Sequence, residues 1–83
     1  MPYIKQEDRK KFDVKKLAKE IESCGELNYV LTMICKEYLG KRVYSYKDLN
    51  EIMGAIECCK LEFYRKVISS YEEVKIDENG DLE

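Results

Sequence analysis

A polar stripe lies on the same side as the apolar residues of one long predicted helix. At about 100° per residue, these polar side chains fall inside or beside the apolar arc rather than opposite it. Ionisable groups are rarely buried without partners, so such a stripe requires either an internal network or a ligand. The stripe consists of Asn50, Glu57, Lys60 and Tyr64, and Glu26 and Asn28 of the preceding predicted helix are further candidates.

Two alternatives explain this polar stripe. In the first, acidic residues of adjacent helices hold a divalent metal and, through it, a nucleotide phosphate. Glu57 would then be the ligand or base, Lys60 would contact the phosphate and Tyr64 would position the substrate. Such sites need three or four carboxylates in one place, and only Glu57 is well placed, with Glu26 and Glu62 as weaker candidates. We favour the second, an internal network in which Glu57 and Lys60 form an i,i+3 ion pair and Tyr64 donates a hydrogen bond.

The sequence contains no other pattern that is typical of catalysis. It has no histidine, so it can form neither a Ser-His-Asp triad nor a Cys-His pair, and it has no glycine-rich phosphate loop. The four cysteines lack the C-x-x-C spacing of zinc sites, and the acidic residues 77–83 are too few for a calcium loop. These observations favour a binding protein over an enzyme. They identify no catalytic residue, no cofactor and no metal ligand.

Composition restricts the kinds of partner. The 83 residues carry a net charge of −2, whereas nonspecific nucleic-acid binding relies on an excess of Lys and Arg. Five lysines between residues 10 and 19 are most simply a solvated helix face. No apolar run approaches the roughly 20 residues that span a bilayer, and the first residues lack the apolar region of a secretory signal. We therefore predict a cytoplasmic protein that binds neither membranes nor nucleic acid.

Apolar periodicity predicts an all-α fold, a single small domain of three helices over residues 1–83. Asp13 can cap the first helix, over 14–21. The second helix, about 26–39, is apolar around most of its circumference, so we expect it to be central. The third follows the capping signature Ser45-x-x-Asp48, spans 46–71 and is the longest. Residues 1–12 are predicted as a lead-in with one helical turn, and residues 72–83 as a weakly ordered tail.

The long third helix also predicts self-association. Its apolar arc is too wide and too long for two shorter helices to cover, and exposed apolar patches above a few hundred Å² usually mark interfaces. Gly54 lacks a side chain and would let two helices approach closely, which would bury Leu61 and Ile68. We therefore expect a symmetric homodimer that forms a helical bundle, with Gly54, Leu61 and Ile68 as its candidate interface.

Several segments, which together cover nearly the whole chain, carry a family resemblance. They are MPYI (1–4), GELNY (25–29), NEIMGAIE (50–57), KLEFYRKV (60–67) and YEEVKIDENGD (71–81). The chain resembles a family of short uncharacterised proteins, a domain of unknown function, from prokaryotes and bacteriophages. It departs from the family at Ser70, where many members have proline, and at its last residues, where members more often end in Asp-Val-Tyr. The resemblance implies a self-contained small protein, and it brings no assigned activity.

These observations lead to two functional hypotheses. The first is a non-enzymatic cytoplasmic helical protein that takes part in protein–protein interaction, as a homodimer or with another protein partner. In this hypothesis it acts as an accessory or regulatory factor in phage or prokaryotic biology. The alternative is a helical metal- or nucleotide-binding protein, or a diverged nucleotide phosphohydrolase, built around Glu57, Lys60 and Tyr64.

Overall fold

The computed structural model describes residues 2–40 and 43–83. Of these residues 78% are helical and none forms a strand, which confirms the all-α prediction of three helices with a long last one. A single helical turn precedes them within the predicted lead-in. The elements are α1 (Gln6–Arg9), α2 (Val14–Glu20), α3 (Cys24–Gly40), α4 (Tyr46–Phe63), a π segment (Tyr64–Ile68) and α5 (Ser69–Asn79).

Side-chain caps determine where α2 and α3 begin. At α2, the Asp13 carboxylate accepts a hydrogen bond from the Lys16 backbone N–H at 3.1 Å, as its sequence position predicts. At α3, the Ser23 hydroxyl accepts from the Glu26 backbone N–H at 3.1 Å, and the Glu26 carboxylate accepts from the Glu22 N–H at 2.8 Å. This capping box starts α3 at Cys24, two residues before the predicted start.

In the signature before α4, both side-chain hydrogen bonds run from Ser45 to Asp48. The Asp48 carboxylate accepts from the Ser45 backbone N–H at 2.8 Å and from the Ser45 hydroxyl at 3.3 Å. The Leu49 N–H then donates to the Ser45 carbonyl at 3.2 Å, which is the first bond of the helix. The signature therefore marks the start of α4 correctly, although the Ser45 hydroxyl donates to Asp48 instead of accepting from a backbone amide.

The long helix continues well beyond its predicted end. Through the π segment and α5 it extends for 34 residues, from Tyr46 to Asn79, so residues 72–79 of the predicted tail are helical. The alternation of Val74 and Ile76 lies within a helix and not within an extended segment. Gly80 ends α5 with a φ of 87°, and its N–H donates to the Ile76 carbonyl at 2.8 Å. Only residues 80–83 follow the helix.

No described residue is buried, and this differs from the expectation of a central second helix. Side chains along α3 at spacings of four and three residues remain between 47% and 52% exposed: Leu27, Leu31, Ile34 and Tyr38. The half-buried residues of α3 are Val30, Met33, Cys35 and Leu39. The main apolar face of α3 is therefore uncovered.

The chain divides into two compact units, and the boundary falls within α4. Tyr3–Ile52 form one unit, which contains α1, α2, α3 and the first residues of α4. Residues 53–83, with residue 2, form the other, which contains the rest of α4, the π segment and α5. None of the described helices is both long enough and apolar enough to cross a membrane.

Candidate functional site

The six residues of the predicted polar site are divided between the two units. Glu57, Lys60 and Tyr64 lie in the unit of residues 53–83, and Glu26, Asn28 and Asn50 lie in the unit of residues 3–52. Of the long helix's candidates, the structure therefore places Glu57, Lys60 and Tyr64 in one unit and Asn50 in the other.

Glu57 and Lys60 form the predicted ion pair, but they form it on the surface. The Lys60 Nζ lies 3.2 Å from the Glu57 Oε1, and the two side chains are 71% and 58% exposed. An internal network was therefore the wrong expectation, because nothing within the described part of the chain buries this pair. Exposed i,i+3 pairs stabilise a helix by only about 0.2–0.5 kcal/mol.

Tyr64 does not join this ion pair but bonds to a residue two turns further along the helix. Its hydroxyl donates to the Glu72 Oε1 at 2.5 Å. In a regular α-helix, residues eight apart are rotated by about 80° from one another. The π segment between them supplies one additional residue, about 100° of rotation, which brings Tyr64 and Glu72 onto the same face. Sequence spacing predicted the donor, but only the π segment reveals the acceptor.

Backbone hydrogen bonding confirms the local change of register. The Ser69 N–H donates to the Tyr64 carbonyl, which is an i→i+5 bond. The Ser70 hydroxyl donates to the Lys66 carbonyl at 3.4 Å. Single π turns inside α-helices occur frequently at functional sites. The Tyr64–Glu72 contact therefore spans the most unusual backbone feature of this unit.

The hydrogen bond also changes the acidity of the tyrosine. The Glu72 carboxylate accepts a hydrogen bond from the Tyr64 hydroxyl. This bond favours the protonated form of the tyrosine and raises the pKa of Tyr64 above its usual 10.0. The negative charge of Glu72 acts in the same direction, and desolvation adds to it. Tyr64 is therefore held as a hydrogen-bond donor and is not poised to act as a base.

A further carboxylate of this unit is also paired. Both oxygens of Glu62 accept from the Arg65 guanidinium, at 2.8 and 3.0 Å, and the Glu62 side chain is only 23% exposed. Both bonds come from the Nη2 nitrogen of Arg65, and both are charge-assisted. Among the described residues, no group of three or more Cys, Asp or Glu side chains could hold a metal ion. Glu57 and Glu62 thus each face a cation of the protein itself.

The polar candidates of the other unit have local structural contacts. Glu26 belongs to the capping box of α3, and the Asn28 Oδ1 accepts from the Thr32 hydroxyl at 3.1 Å. Asn50 is exposed on the first part of α4. The contacts of Glu26 and Asn28 fix the start and the first turns of α3.

An apolar repeat in the sequence runs through residues 53–74 of the unit of residues 53–83. Side chains at alternating spacings of three and four residues recur as in a coiled-coil heptad, with Lys60 and Ser70 as its polar members. The pattern extends past the predicted apolar stripe to Val74, which the tail interpretation had excluded. Its apolar members are between 45% and 64% exposed: Met53, Ile56, Phe63, Val67 and Val74.

The π segment also affects the candidate interface. Gly54 and Leu61 lie seven residues apart within α4 and therefore share a face, and a side chain added at Gly54 would meet nothing within 4 Å. Ile68 follows the first residues of the π segment and is rotated away from Leu61. Leu61 and Ile68 are 57% and 37% exposed. Within this unit, the structure brings together Gly54 and Leu61 but not Ile68.

The surface position of the Glu57–Lys60 pair predicts a small effect for Glu57→Gln. We expect the free energy of unfolding in urea to change by less than about 0.5 kcal/mol, because the pair is exposed. Glu51→Gln, in the exposed Lys47–Glu51 pair at 3.8 Å, is the matched control. A loss above about 1.5 kcal/mol for Glu57→Gln alone would show that Glu57 has a buried partner.

The Tyr64–Glu72 contact predicts that Tyr64 titrates at a higher pH than an ordinary tyrosine. A folded pKa above the unfolded one means that the bond contributes fully below pH 10.0, and that its contribution is lost as the pH rises through the folded pKa. Phenolate absorbance followed by alkaline titration measures this. Glu72→Ala should move that tyrosine to an earlier pH, and the neighbouring control Glu73→Ala should not. Identical titration curves for the native chain and Glu72→Ala would disprove the contact.

The chain matches a known protein family over nearly its whole length. Residues 1–82 match the family described as a domain of unknown function (DUF6899). No curated protein and no solved structure matches the chain. The match agrees with the resemblance carried by the sequence motifs, and it assigns no activity. The protein therefore belongs to the family of this domain of unknown function, DUF6899.

Proposed function

We propose that this protein is a non-enzymatic helical interaction module that works as a homodimer, in an accessory or regulatory role. The observation that carries the proposal is the amount of apolar surface left in solvent. Of the described residues none is buried, and 24 large hydrophobic side chains are exposed. A chain that folds alone normally buries such side chains, because their burial is the main driving force of folding.

The accessible area supports a partner of substantial size. The chain exposes 8018 Å², whereas a folded monomer of 9.9 kDa exposes about 5,200 Å² by the general scaling of area with mass. The excess is therefore about 2,800 Å² per chain. Two copies that covered this excess would bury about 5,600 Å² in total, and obligate homodimers bury 2,000 to 5,000 Å² and more. A second copy is thus large enough to complete the missing core.

Charge distribution also favours a second copy as the partner. Residues 5–19 carry seven Lys and Arg against three acidic residues, and residues 72–83 carry six acidic residues against one lysine. Two oppositely charged segments of one chain are complementary in a two-fold dimer in which the first segment of one copy meets the last segment of the other. Such complementarity steers association and disfavours alternative registers.

The neighbourhood of the polar stripe favours interaction over catalysis. Glu57 is paired with Lys60, Glu62 is paired with Arg65, and the Tyr64 hydroxyl donates to Glu72. A metal–nucleotide site would have to break two of these pairs to obtain its carboxylates. All four cysteines are free, which is typical of proteins in the reducing environment of the cytoplasm.

Sedimentation equilibrium at several micromolar loading concentrations tests the proposal. We expect an apparent mass that rises with concentration from 9.9 kDa toward twice that value. A mass of 9.9 kDa at every loading would reject the homodimer.

Phe63→Asp identifies the contact surface in the same experiment. It places a charge in the apolar stripe, so the dissociation constant should rise at least tenfold. Val43→Asp is the matched control, because Val43 is 101% exposed and lies outside the stripe. Circular dichroism of both variants establishes that their helices are retained. Equal association of the two variants would place the contact elsewhere.

A further inference from the structure

The π segment interrupts one apolar repeat of the sequence. Met53, Ile56, Phe63, Val67 and Val74 would lie on a single seam of an uninterrupted α-helix, with about three heptads between the first and the last. One additional residue in the π segment rotates everything after it by about 100°. In the structure, the seam therefore ends near Phe63, and Val74 lies off its line.

The Tyr64–Glu72 contact requires the π segment, whereas a continuous seam requires an uninterrupted α-helix. The hydroxyl reaches the carboxylate only because the π segment aligns the two residues. In an uninterrupted α-helix they would be rotated apart by about 80°, which separates the two groups. The continuous seam and the Tyr64–Glu72 hydrogen bond are therefore mutually exclusive.

We infer that residues 64–72 form a register switch that sets how far the dimer seam extends; this inference rests on the proposed function. In the π register, Tyr64 donates to Glu72 and a second copy can pair only along the Met53–Phe63 part of the seam. In the α register, the contact is broken and the second copy can also cover Val67 and Val74. The partner bound in either case is another copy of this chain.

The two registers compete because each is stabilised by a contribution that the other lacks. The hydrogen bond is charge-assisted but lies at the surface, where water competes for both groups. Against it stands the burial of Val67 and Val74, which are 50% and 51% exposed in the π register. The α register also recovers regular i→i+4 backbone bonding. Only the bound copy supplies the apolar contacts, so association favours the α register.

Lys60 and Ser70 fit a seam that must form in one register. A lysine at a core position of a coiled coil selects alignment and oligomeric state at a cost in stability. Lys60 already has Glu57 beside it, 3.2 Å away, so its charge has a partner when the seam closes. Ser70 is small and its hydroxyl donates to the Lys66 carbonyl, so it adds no unpaired donor.

The test is Tyr64→Phe, which removes the hydroxyl and keeps the ring. Sedimentation equilibrium should show a dissociation constant at least threefold lower than that of the native chain. Glu72→Ala should act in the same direction, and Glu73→Ala, with the same loss of charge one residue away, should leave the dissociation constant within twofold of the native value. Backbone carbon chemical shifts of residues 64–69 should move toward regular α-helix in Tyr64→Phe.

Each outcome decides between the two proposals. A native chain that dimerises while Tyr64→Phe dimerises equally or more weakly overturns the register switch and leaves the homodimer intact. Unchanged chemical shifts at residues 64–69 in Tyr64→Phe also overturn it, since the contact would then not hold the π segment. If Glu73→Ala tightened association by the same factor as Glu72→Ala, the effect would come from net charge alone, and the register switch would be overturned. A native chain that stays monomeric rejects both proposals.

Discussion

The caps that begin the helices are made between residues close in sequence. The large apolar side chains of the described residues, in contrast, remain unburied. α3 and the long helix that begins at Tyr46 both start beside a local side-chain cap, and the ion pairs of the long helix join residues three or four apart. Isolated helices of this length gain little stability from propensity alone, and most helical stability comes from packing of the apolar face. The exposed apolar surface is therefore the constraint on which the structure depends, because something must cover it for the helices to persist.

Much of this exposed apolar surface lies on the long helix. Its polar residues are paired with one another along the surface, as in Glu57–Lys60, Glu62–Arg65 and Tyr64–Glu72. Pairing within one helix leaves these groups satisfied when a second helix packs beside them. Under the proposed function, this pairing keeps the charges of the stripe compatible with an apolar helix packed beside them.

Local features of the structure follow well from the sequence, and features that depend on register do not. Asp13 and Ser45-x-x-Asp48 mark their helix starts because capping involves only neighbouring residues. The length of the last helix was underestimated, since Val74 and Ile76 alternate as in a strand although Gly80 supplies a helix end. Glu72 could not be identified as the partner of Tyr64, because eight residues is not a helical contact distance without a π segment. The prediction of a central second helix failed for another reason. Burial depends on what packs against a face, and periodicity identifies only the face.

If a second copy of the chain supplies the missing core, the stability of the helices depends on protein concentration, because association stabilises the folded state by mass action. Thermal unfolding followed by circular dichroism at increasing protein concentration measures this dependence. We expect a midpoint that rises steadily with concentration, together with loss of helix on dilution. A cooperative transition with the same midpoint at every concentration would contradict it, since the chain would then complete its core alone.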